Sequence, residues 1–240
     1  MDKIKSLVKK AFNRFGYEIK KIDKSAATGF DFWVWLKKTQ NIRTVIDIGA
    51  NDGAFGQFIA RYFNATSVYA FEPLPSCIPE IEKRFSNISN LKIFNVALSN
   101  YTGSETLYLN SYAPASSLLR VSDISKKEFP QTVGERPITV KVAQVDDIID
   151  ANSLIKNIFI KIDIQGMEDR VINGGKNVFS AAKCILVEMS FVPMYEGQPL
   201  FEEVHTLLVD LGYRFAGIKN QINSEKTGRP LFCHYLYLKN

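Results

Sequence analysis

The sequence predicts an α/β protein built on a doubly wound, mostly parallel β-sheet, and three features point to this class. Short apolar runs, typical of strands buried on both faces, recur from residue 42 onward. Segments with helical periodicity separate these runs. The first run ends in a glycine-rich turn over residues 49–53, and doubly wound sheets bind ligands beyond the carboxyl ends of their strands.

The elements alternate regularly up to residue 96. The patterns predict strands over residues 44–48, 67–71 and 91–96, with one helix running to residue 63 and another over residues 76–85. Continuous apolar strands separated by helices indicate a parallel sheet that is covered on both faces.

The middle of the chain departs from this order, and the alternation then resumes. Residues 106–109 and 138–143 have strand patterns, but a long polar stretch separates them. A connection of that length is usually functional or disordered. The remaining patterns predict strands over 158–163, 184–188, 213–218 and 231–238, with helices from about residue 167 and over about 200–211.

Length and composition indicate one folded domain that follows a basic segment. The 240 residues are 46% hydrophobic and 23% charged, which argues against a disordered chain. Three scattered cysteines, Cys77, Cys184 and Cys233, indicate reduced core residues and no disulfide framework. We expect residues 1–41 to form a basic amphipathic helical segment and residues 42–240 to form the α/β domain.

Positive charge is concentrated at the N-terminus. Residues 1–24 hold eight basic and three acidic side chains, and the other 216 residues hold 22 of each. A nucleic-acid-binding body would carry a basic face, so we expect no nucleic-acid partner. Lysines at positions 3, 5, 9 and 10 interrupt any secretion-signal core, and no run of 18 apolar residues is present. We therefore expect a cytoplasmic protein.

The N-terminal segment has one apolar stripe at helical spacing, which ends before Gly16 and consists of Ile4, Leu7, Val8, Ala11, Phe12 and Phe15. A helix with this stripe would either pack on the protein's own core or lie on an anionic membrane surface. The pattern does not distinguish these alternatives. Peripheral membrane contact through residues 1–24 is thus one of two expectations, and the sequence does not indicate an oligomeric state.

The turn after the first strand favours S-adenosylmethionine as the ligand. It reads D-I-G-A-N-D-G over residues 47–53, which differs from the G-x-G-x-x-G turn that binds a pyrophosphate. Glycines allow the backbone to approach a nucleoside, and the acidic group suits a ligand that carries a sulfonium and an ammonium. Glu72 follows the second strand, where its two oxygens can accept hydrogen bonds from both ribose hydroxyls.

Several motifs, taken together, resemble the FkbM family of S-adenosylmethionine-dependent methyltransferases. They are I-D-I-G-A-N-D-G (46–53), Y-A-F-E-P (69–73), N-V-A-L-S (95–99), S-S-L (116–118), K-I-D-I-Q-G-M-E (161–168), V-E (187–188) and Y-E-G-Q-P (195–199). Each motif alone is generic, but their order and spacing are specific. The resemblance covers about residues 42–240.

The resemblance implies a seven-stranded, Rossmann-like class I methyltransferase fold with an antiparallel C-terminal strand. It also implies methylation of a hydroxyl, commonly on a sugar of a bacterial glycan or on a glycosylated natural product. The implied cofactor-binding residues are Asp47, Gly49, Asn51, Gly53, Glu72, Pro73, Ala97 and Leu98. One position departs from the family pattern, because Gln165 stands where a second carboxylate is usual.

The candidate catalytic residues follow from the positions of carboxylates at strand ends. Asp163 follows the fourth predicted parallel strand and Glu188 ends the fifth, so we expect Asp163 to act as the general base or a metal ligand and Glu188 to be its partner. These two carboxylates could hold Mg²⁺. His205 is a further candidate base at the rim, although a surface position fits it better, and His234 is expected to be structural. No His/Cys spacing suggests zinc.

Two other functional classes remain open at this point. An NAD-dependent oxidoreductase shares the fold but normally has the G-x-G-x-x-G turn. A non-catalytic scaffold would be expected to lose some cofactor residues, and none is clearly lost.

Overall fold

The computed structural model of the chain describes residues 32–239. The chain divides into two compact units, residues 1–39 and 40–240. The described part of the first unit is helix α1 (Phe32–Thr39). The expected helix over residues 4–15 and the basic segment around it lie outside the described residues. Within residues 32–239, no helix is long and apolar enough to cross a membrane.

Ten strands are present between residues 40 and 239: β1 (Thr44–Ile48), β2 (Ser67–Phe71), β3 (Asn90–Phe94), β4 (Ala97–Leu98), β5 (Gly103–Asn110), β6 (Glu135–Ala143), β7 (Ile158–Ile162), β8 (Cys184–Ser190), β9 (Arg214–Asn223) and β10 (Pro230–Leu238). The helices of this part of the chain are α2 (Ala54–Phe63), α3 (Ile78–Arg84), α4 (Asp123–Glu128), α5 (Val145–Ile148), α6 (Glu168–Asn173), α7 (Lys176–Ala181) and α8 (Phe201–Asp210).

Seven strands form one sheet in the order β3-β2-β1-β7-β8-β10-β9. The pairs from β3 to β8 are parallel, with Thr44 opposite both Ser67 and Ile158. Strand β10 runs antiparallel to both of its neighbours, β8 and β9. The predicted doubly wound, mostly parallel seven-stranded sheet with an antiparallel C-terminal strand is therefore confirmed.

The core lies on both faces of this sheet, as its apolar strands require. All five residues of β1, of β2 and of β7 are buried, so the helices must cover the sheet on each side. On α2, the buried residues include Ile59, Ala60 and Phe63, and they recur at helical spacing. The two central strands, β1 and β7, are consequently fixed, and the loops that follow them leave the sheet side by side.

A second sheet of three strands, in the order β4-β6-β5, was not predicted. The expected strand over residues 91–96 ends at Phe94, and Ala97 and Leu98 then pair with β6. The polar connection between β5 and β6 is ordered by helix α4 and by single bridges, of which Val121 with Tyr195 ties it to the segment after β8.

Candidate active site

The loop after β1 depends on residues with left-handed backbone. Gly49 has φ 74°, Asn51 φ 50° and Gly53 φ 78°. A Cβ atom at Gly49 would lie 1.9 Å from the carbonyl oxygen of Asp163, so any side chain there would collide with the backbone that follows β7. Gly49 therefore allows the loops after β1 and β7 to approach each other closely.

Glu72 fixes this loop from the neighbouring strand. Its Oε2 accepts a hydrogen bond from the Asn51 backbone N–H at 2.7 Å, and its Oε1 accepts one from the Leu74 N–H at 2.9 Å. The side chain is buried, which raises the pKa of its carboxyl group, while the two N–H groups act in the opposite direction. Each oxygen keeps a second lone pair, so a ribose hydroxyl can still donate to it.

A cleft beyond the ends of β1, β2 and β7 contains most of the predicted cofactor residues. It has about 670 Å³ of space, part of it open to solvent. Six of the eight predicted residues line it: Gly49, Asn51, Glu72, Pro73, Ala97 and Leu98. We call it the cofactor cleft. Among the described residues, no Lys, Arg or His lines it.

Asp47 and Gly53 lie near the cofactor cleft but do not line it. Asp47 is fully buried, and a Cβ atom at Gly56 of α2 would lie 2.2 Å from its Oδ2. Helix α2 thus packs directly on this carboxylate, and burial raises the pKa of Asp47. Gly53 precedes α2 at its N-cap position. Asp47 therefore lies beneath the loop, where its Oδ1 is 3.4 Å from Lys161 Nζ.

Lys161 joins the loops after β1 and β7. Its Nζ donates to the Gly49 carbonyl at 2.5 Å and lies 3.6 Å from Asp163 Oδ2. Burial lowers the pKa of this ammonium, but Asp47 and Asp163 more than offset that effect and raise it. A buried charge of either sign needs such partners, because desolvation of an unpaired ion costs several kcal/mol.

Asp163 and Glu188 come together as expected, and Gln165 bridges them. The Gln165 side-chain amide donates to Asp163 Oδ1 at 2.6 Å and to Glu188 Oε1 at 3.2 Å. Its Oε1 accepts from the Tyr195 hydroxyl at 2.7 Å, and its backbone oxygen accepts from Ser117 Oγ at 2.7 Å. The departure from the family pattern at position 165 therefore supplies a hydrogen-bond donor between two carboxylates.

The two carboxyl groups have opposite pKa shifts. Burial opposes ionisation of Asp163, but Lys161 and His234 together lower its pKa below the ordinary range. Burial raises the pKa of Glu188 well above the ordinary range, and the neighbouring charge of Asp163 adds to this effect. The pair therefore holds an ionised Asp163 beside a Glu188 that retains its proton more readily.

His234 was expected to be structural, but it faces both carboxylates. Its Nε2 lies 3.6 Å from Glu188 Oε2 and 3.8 Å from Asp163 Oδ2. This position arises because β10 pairs with β8 and sets His234 opposite Glu188. The sequence pattern holds no signal for that register, because it does not reveal which strand β10 joins.

His205 does not reach the site. Its Nδ1 lies 2.7 Å from the Tyr237 hydroxyl, and its ring stacks on Phe201 at 5.3 Å between centroids. It lines neither the cofactor cleft nor the second cavity described below. The contacts are those of a residue that packs α8 against β10.

A second cavity adjoins the cofactor cleft. It has about 950 Å³ of space, part of it open to solvent, and we call it the acceptor cavity. Both spaces are lined by Asp163, Gln165 and Pro114, so they meet at the end of β7. The connection between β5 and β6 lines both spaces as well, with residues such as Ala113 and Ser117 in the first and Tyr112 and Phe129 in the second.

The carboxylate pair and His234 form a cluster with metal-ligand side chains. One ligand atom from each of Asp163, Glu188 and His234 lies within 4.8 Å of the others. The Gln165 amide already donates to both carboxylates, and the Lys161 ammonium faces Asp163. Both donors already face carboxylate oxygens that would ligate a cation, and an imidazole ligand does not suit Mg²⁺, which prefers oxygen. The arrangement therefore lends no support to Mg²⁺ at this site.

Comparison with known proteins identifies the part of the chain that carries this site. The profile of the methyltransferase FkbM domain matches residues 47–215. The chain is similar to 2-O-methyltransferase NoeI of Sinorhizobium fredii, with 27% identity over 160 residues that cover 64% of this chain and 66% of NoeI. It is also similar to methyltransferase sdnD of Sordaria araneosa, with 23% identity over 192 residues that cover 70% of this chain and 73% of sdnD.

A solved structure shares the fold. The crystal structure of methyltransferase FkbM from Methylobacillus flagellatus KT superposes with a TM-score of 0.52 and 14% identity. The match covers 81% of this chain and 44% of that chain. The chain thus spans less than half of the crystallised protein and about two thirds of NoeI.

Proposed function

The chain belongs to the FkbM methyltransferase family, and we propose that it transfers a methyl group from S-adenosylmethionine to a hydroxyl of a sugar, in a bacterial glycan or a glycosylated natural product. The observation that carries this proposal is the meeting of two cavities at Asp163 and Gln165. A methyl transferase needs this arrangement, because the methyl donor and the acceptor oxygen must face each other in line. Positioning of this kind can lower a barrier by roughly 7–11 kcal/mol at best.

The charge of the cofactor cleft favours S-adenosylmethionine over a dinucleotide. Its lining includes the carboxylates of Glu72 and Asp163, and no basic side chain among the described residues. A cationic sulfonium and ammonium are attracted to such a cleft, whereas a pyrophosphate would be repelled. The turn at residues 47–53 also lacks the G-x-G-x-x-G spacing. Both observations count against the NAD-dependent oxidoreductase.

The chain's own residues bind and orient the reactants. When bound, S-adenosylmethionine supplies an electrophilic methyl group on its sulfonium. Glu72 holds the loop of Asn51 through the backbone and accepts hydrogen bonds from the ribose hydroxyls. Asp163 lies at the junction of both cavities, where it is ionised and can accept a hydrogen bond from the acceptor hydroxyl.

Proton removal falls to the carboxylate pair. A general base works best when its pKa lies near the working pH, and it contributes typically 10²–10⁴-fold. Glu188 meets this condition better than Asp163, because burial raises its pKa. We therefore assign the orientation of the acceptor hydroxyl to Asp163 and the uptake of its proton to Glu188 in its ionised form, with Gln165 fixing both side chains.

Two observations support a sugar as the acceptor: the activity named for one relative and the aromatic lining of the acceptor cavity. NoeI is described as a 2-O-methyltransferase, which is chemistry at a hydroxyl. The acceptor cavity is lined by the aromatic rings of Tyr112, Phe129, Tyr195 and Phe232. Such rings offer apolar surface to the C–H face of a sugar ring. A non-catalytic scaffold would not need both a lined acceptor cavity and an intact carboxylate pair.

Two measurements on the full chain test the proposal. Isothermal titration calorimetry should detect binding of S-adenosylhomocysteine and none of NAD⁺. Transfer of a labelled methyl group from S-adenosylmethionine to a panel of neutral and uronate-containing glycans should then yield a base-stable methyl ether. Binding of NAD⁺ in place of S-adenosylhomocysteine would refute the proposal. A base-labile methyl ester as the product would show that the acceptor is a carboxyl group and not a hydroxyl.

A further inference from the structure

The lining of the acceptor cavity restricts the charge of what can enter it. Three carboxylates, Asp163, Glu168 and Glu188, line this space, and within residues 32–239 no Lys, Arg or His does so. We propose that the part of the acceptor that enters the cavity is a neutral or amine-bearing polyol and carries no carboxylate or phosphate. This inference rests on the proposed function, because that function makes this space the acceptor site.

The nearest basic side chains do not offset the acidic lining. Lys161 is buried behind Asp163, where Asp47 and the Gly49 carbonyl also contact it. His234 lies behind the pair, with its Nε2 directed at the carboxylates of Glu188 and Asp163. Neither residue lines the cavity. An anionic group on the acceptor would thus meet carboxylates and have no described cation to pair with.

Burial makes this repulsion strong. Glu168 is only 3% exposed, and its Oε1 accepts a hydrogen bond from the Gly166 N–H at 3.0 Å. Charges interact several times more strongly in such a site than in water. Burial raises the pKa of Glu168 and of Glu188, so Asp163 is the constant negative charge of the cavity and the other two carboxylates add to the repulsion as pH rises.

The walls suit a neutral or cationic ring equally well. The rings of Phe129 and Phe232 lie 6.0 Å apart between centroids at an angle of 54°, and Tyr195 contributes a third ring. Aromatic faces attract an ammonium group and also pack on the apolar face of a neutral sugar. An anionic group gains nothing from these faces, because their π-electrons are negative.

Matched methyl glycosides test the inference by binding. Sets of three, each with a neutral, an amine-bearing and a uronate member of the same sugar, are titrated by NMR into the full chain saturated with S-adenosylhomocysteine. The neutral and amine-bearing members should bind at least tenfold more tightly than the uronate in at least one sugar series. A uronate that binds as tightly as its neutral counterpart overturns the inference, and so does a lack of any discrimination, including no binding at all.

Charge-neutralising variants locate the effect. Glu168→Gln keeps an acceptor for the Gly166 N–H. In titrations at pH 8, where most Glu168 side chains are ionised, it should narrow the ratio of neutral to uronate affinity several-fold. Asp123→Asn is the matched control, because Asp123 lies on α4 with its side chain 87% exposed and should leave the ratio unchanged. Equal effects of the two variants would contradict the proposal. Calorimetry with S-adenosylhomocysteine alone tests the proposed function separately. If S-adenosylhomocysteine does not bind, the glycosides can still be ranked by titration into the chain in its absence.

Discussion

Replacement of Glu72 by alanine perturbs both the cofactor cleft and the fold, and the structure gives the size of each effect. The carboxylate accepts two backbone hydrogen bonds, from Asn51 and Leu74, at a position that is only 5% exposed. Each N–H left unpaired in such a place costs about 1–3 kcal/mol. Glu72→Ala should therefore lower the free energy of unfolding by about 2–6 kcal/mol.

The loss of cofactor affinity has a separate origin. Hydrogen bonds to a charged group contribute roughly 1.5–3 kcal/mol each, and the proposed pair to the ribose would be lost together. Allowing for water that replaces part of the pair, we expect a loss of about 2–3 kcal/mol, which is a roughly 30- to 150-fold weaker affinity. Glu72→Gln retains one acceptor oxygen, so its free energy of unfolding and its affinity for S-adenosylhomocysteine should both lie between those of the parent and of Glu72→Ala.

Calorimetry with S-adenosylhomocysteine and thermal unfolding measure the two effects on the same samples. Glu82→Gln on α3 is the matched control, because its side chain is exposed and should change neither quantity. A folded Glu72→Ala variant that binds S-adenosylhomocysteine as tightly as the parent chain would refute the proposed contact with the ribose. A Glu82→Gln variant that weakens binding to the same extent as Glu72→Ala would refute it as well.

The remaining predictions concern catalysis, pH, packing and the N-terminus. Asp163→Asn should reduce turnover about a hundredfold or more while the affinity for S-adenosylhomocysteine stays within a few-fold of the parent. The parent chain should have the same steady-state kinetics with and without EDTA, and a loss of activity in EDTA would support the metal alternative. Burial raises the pKa of Glu168 from 4.5 to about 7, so the folded state holds a proton that the unfolded state releases above pH 4.5, and stability falls as pH rises towards 7. This difference in pKa corresponds to at most about 3 kcal/mol of folding free energy. Glu168→Gln should therefore raise the melting temperature by several degrees at pH 8 and by much less at pH 5. An equal gain at both pH values would contradict the burial argument. His205→Ala should lose about 1–2 kcal/mol of stability in denaturant titration, because its hydrogen bond to Tyr237 and its ring stacking are lost, and methyl transfer should be unchanged. A tenfold loss of methyl transfer would show that His205 takes part in the reaction. Residues 1–24 should confer weak, salt-sensitive binding to anionic liposomes at about 1 kcal/mol per basic residue near the surface, and a chain starting at Ser25 that sediments equally would exclude this.

Much of the cofactor cleft could be predicted because its geometry follows from local sequence. Strand β1 and the glycines after it are adjacent in the chain, and parallel strands place their carboxyl ends at one edge. Gly49, Asn51 and Glu72 accordingly line the cleft. Asp47 was expected there too, but it lies within the strand, and helix α2 covers it at Gly56. The sequence motif alone does not reveal on which side of the strand a side chain lies.

The acceptor side was harder to predict because it depends on long-range pairing. His234 meets Glu188 only through the register of β10 against β8. Tyr195 donates to Gln165 and also forms a bridge with Val121 of the connection between β5 and β6, 74 residues earlier in the chain. The second sheet likewise depends on Ala97 and Leu98 leaving the main sheet. None of these contacts has a periodic signal in the sequence.

The central claim is that the cleft formed by Gly49, Asn51 and Glu72 holds S-adenosylmethionine with its methyl group directed at Asp163. A crystal structure of the full chain soaked with S-adenosylhomocysteine tests this most directly. We expect ribose hydroxyls within hydrogen-bond distance of Glu72 and a sulfur atom that faces the junction of the cofactor cleft and the acceptor cavity. S-adenosylhomocysteine bound elsewhere, or with its sulfur turned away from Asp163, would contradict it.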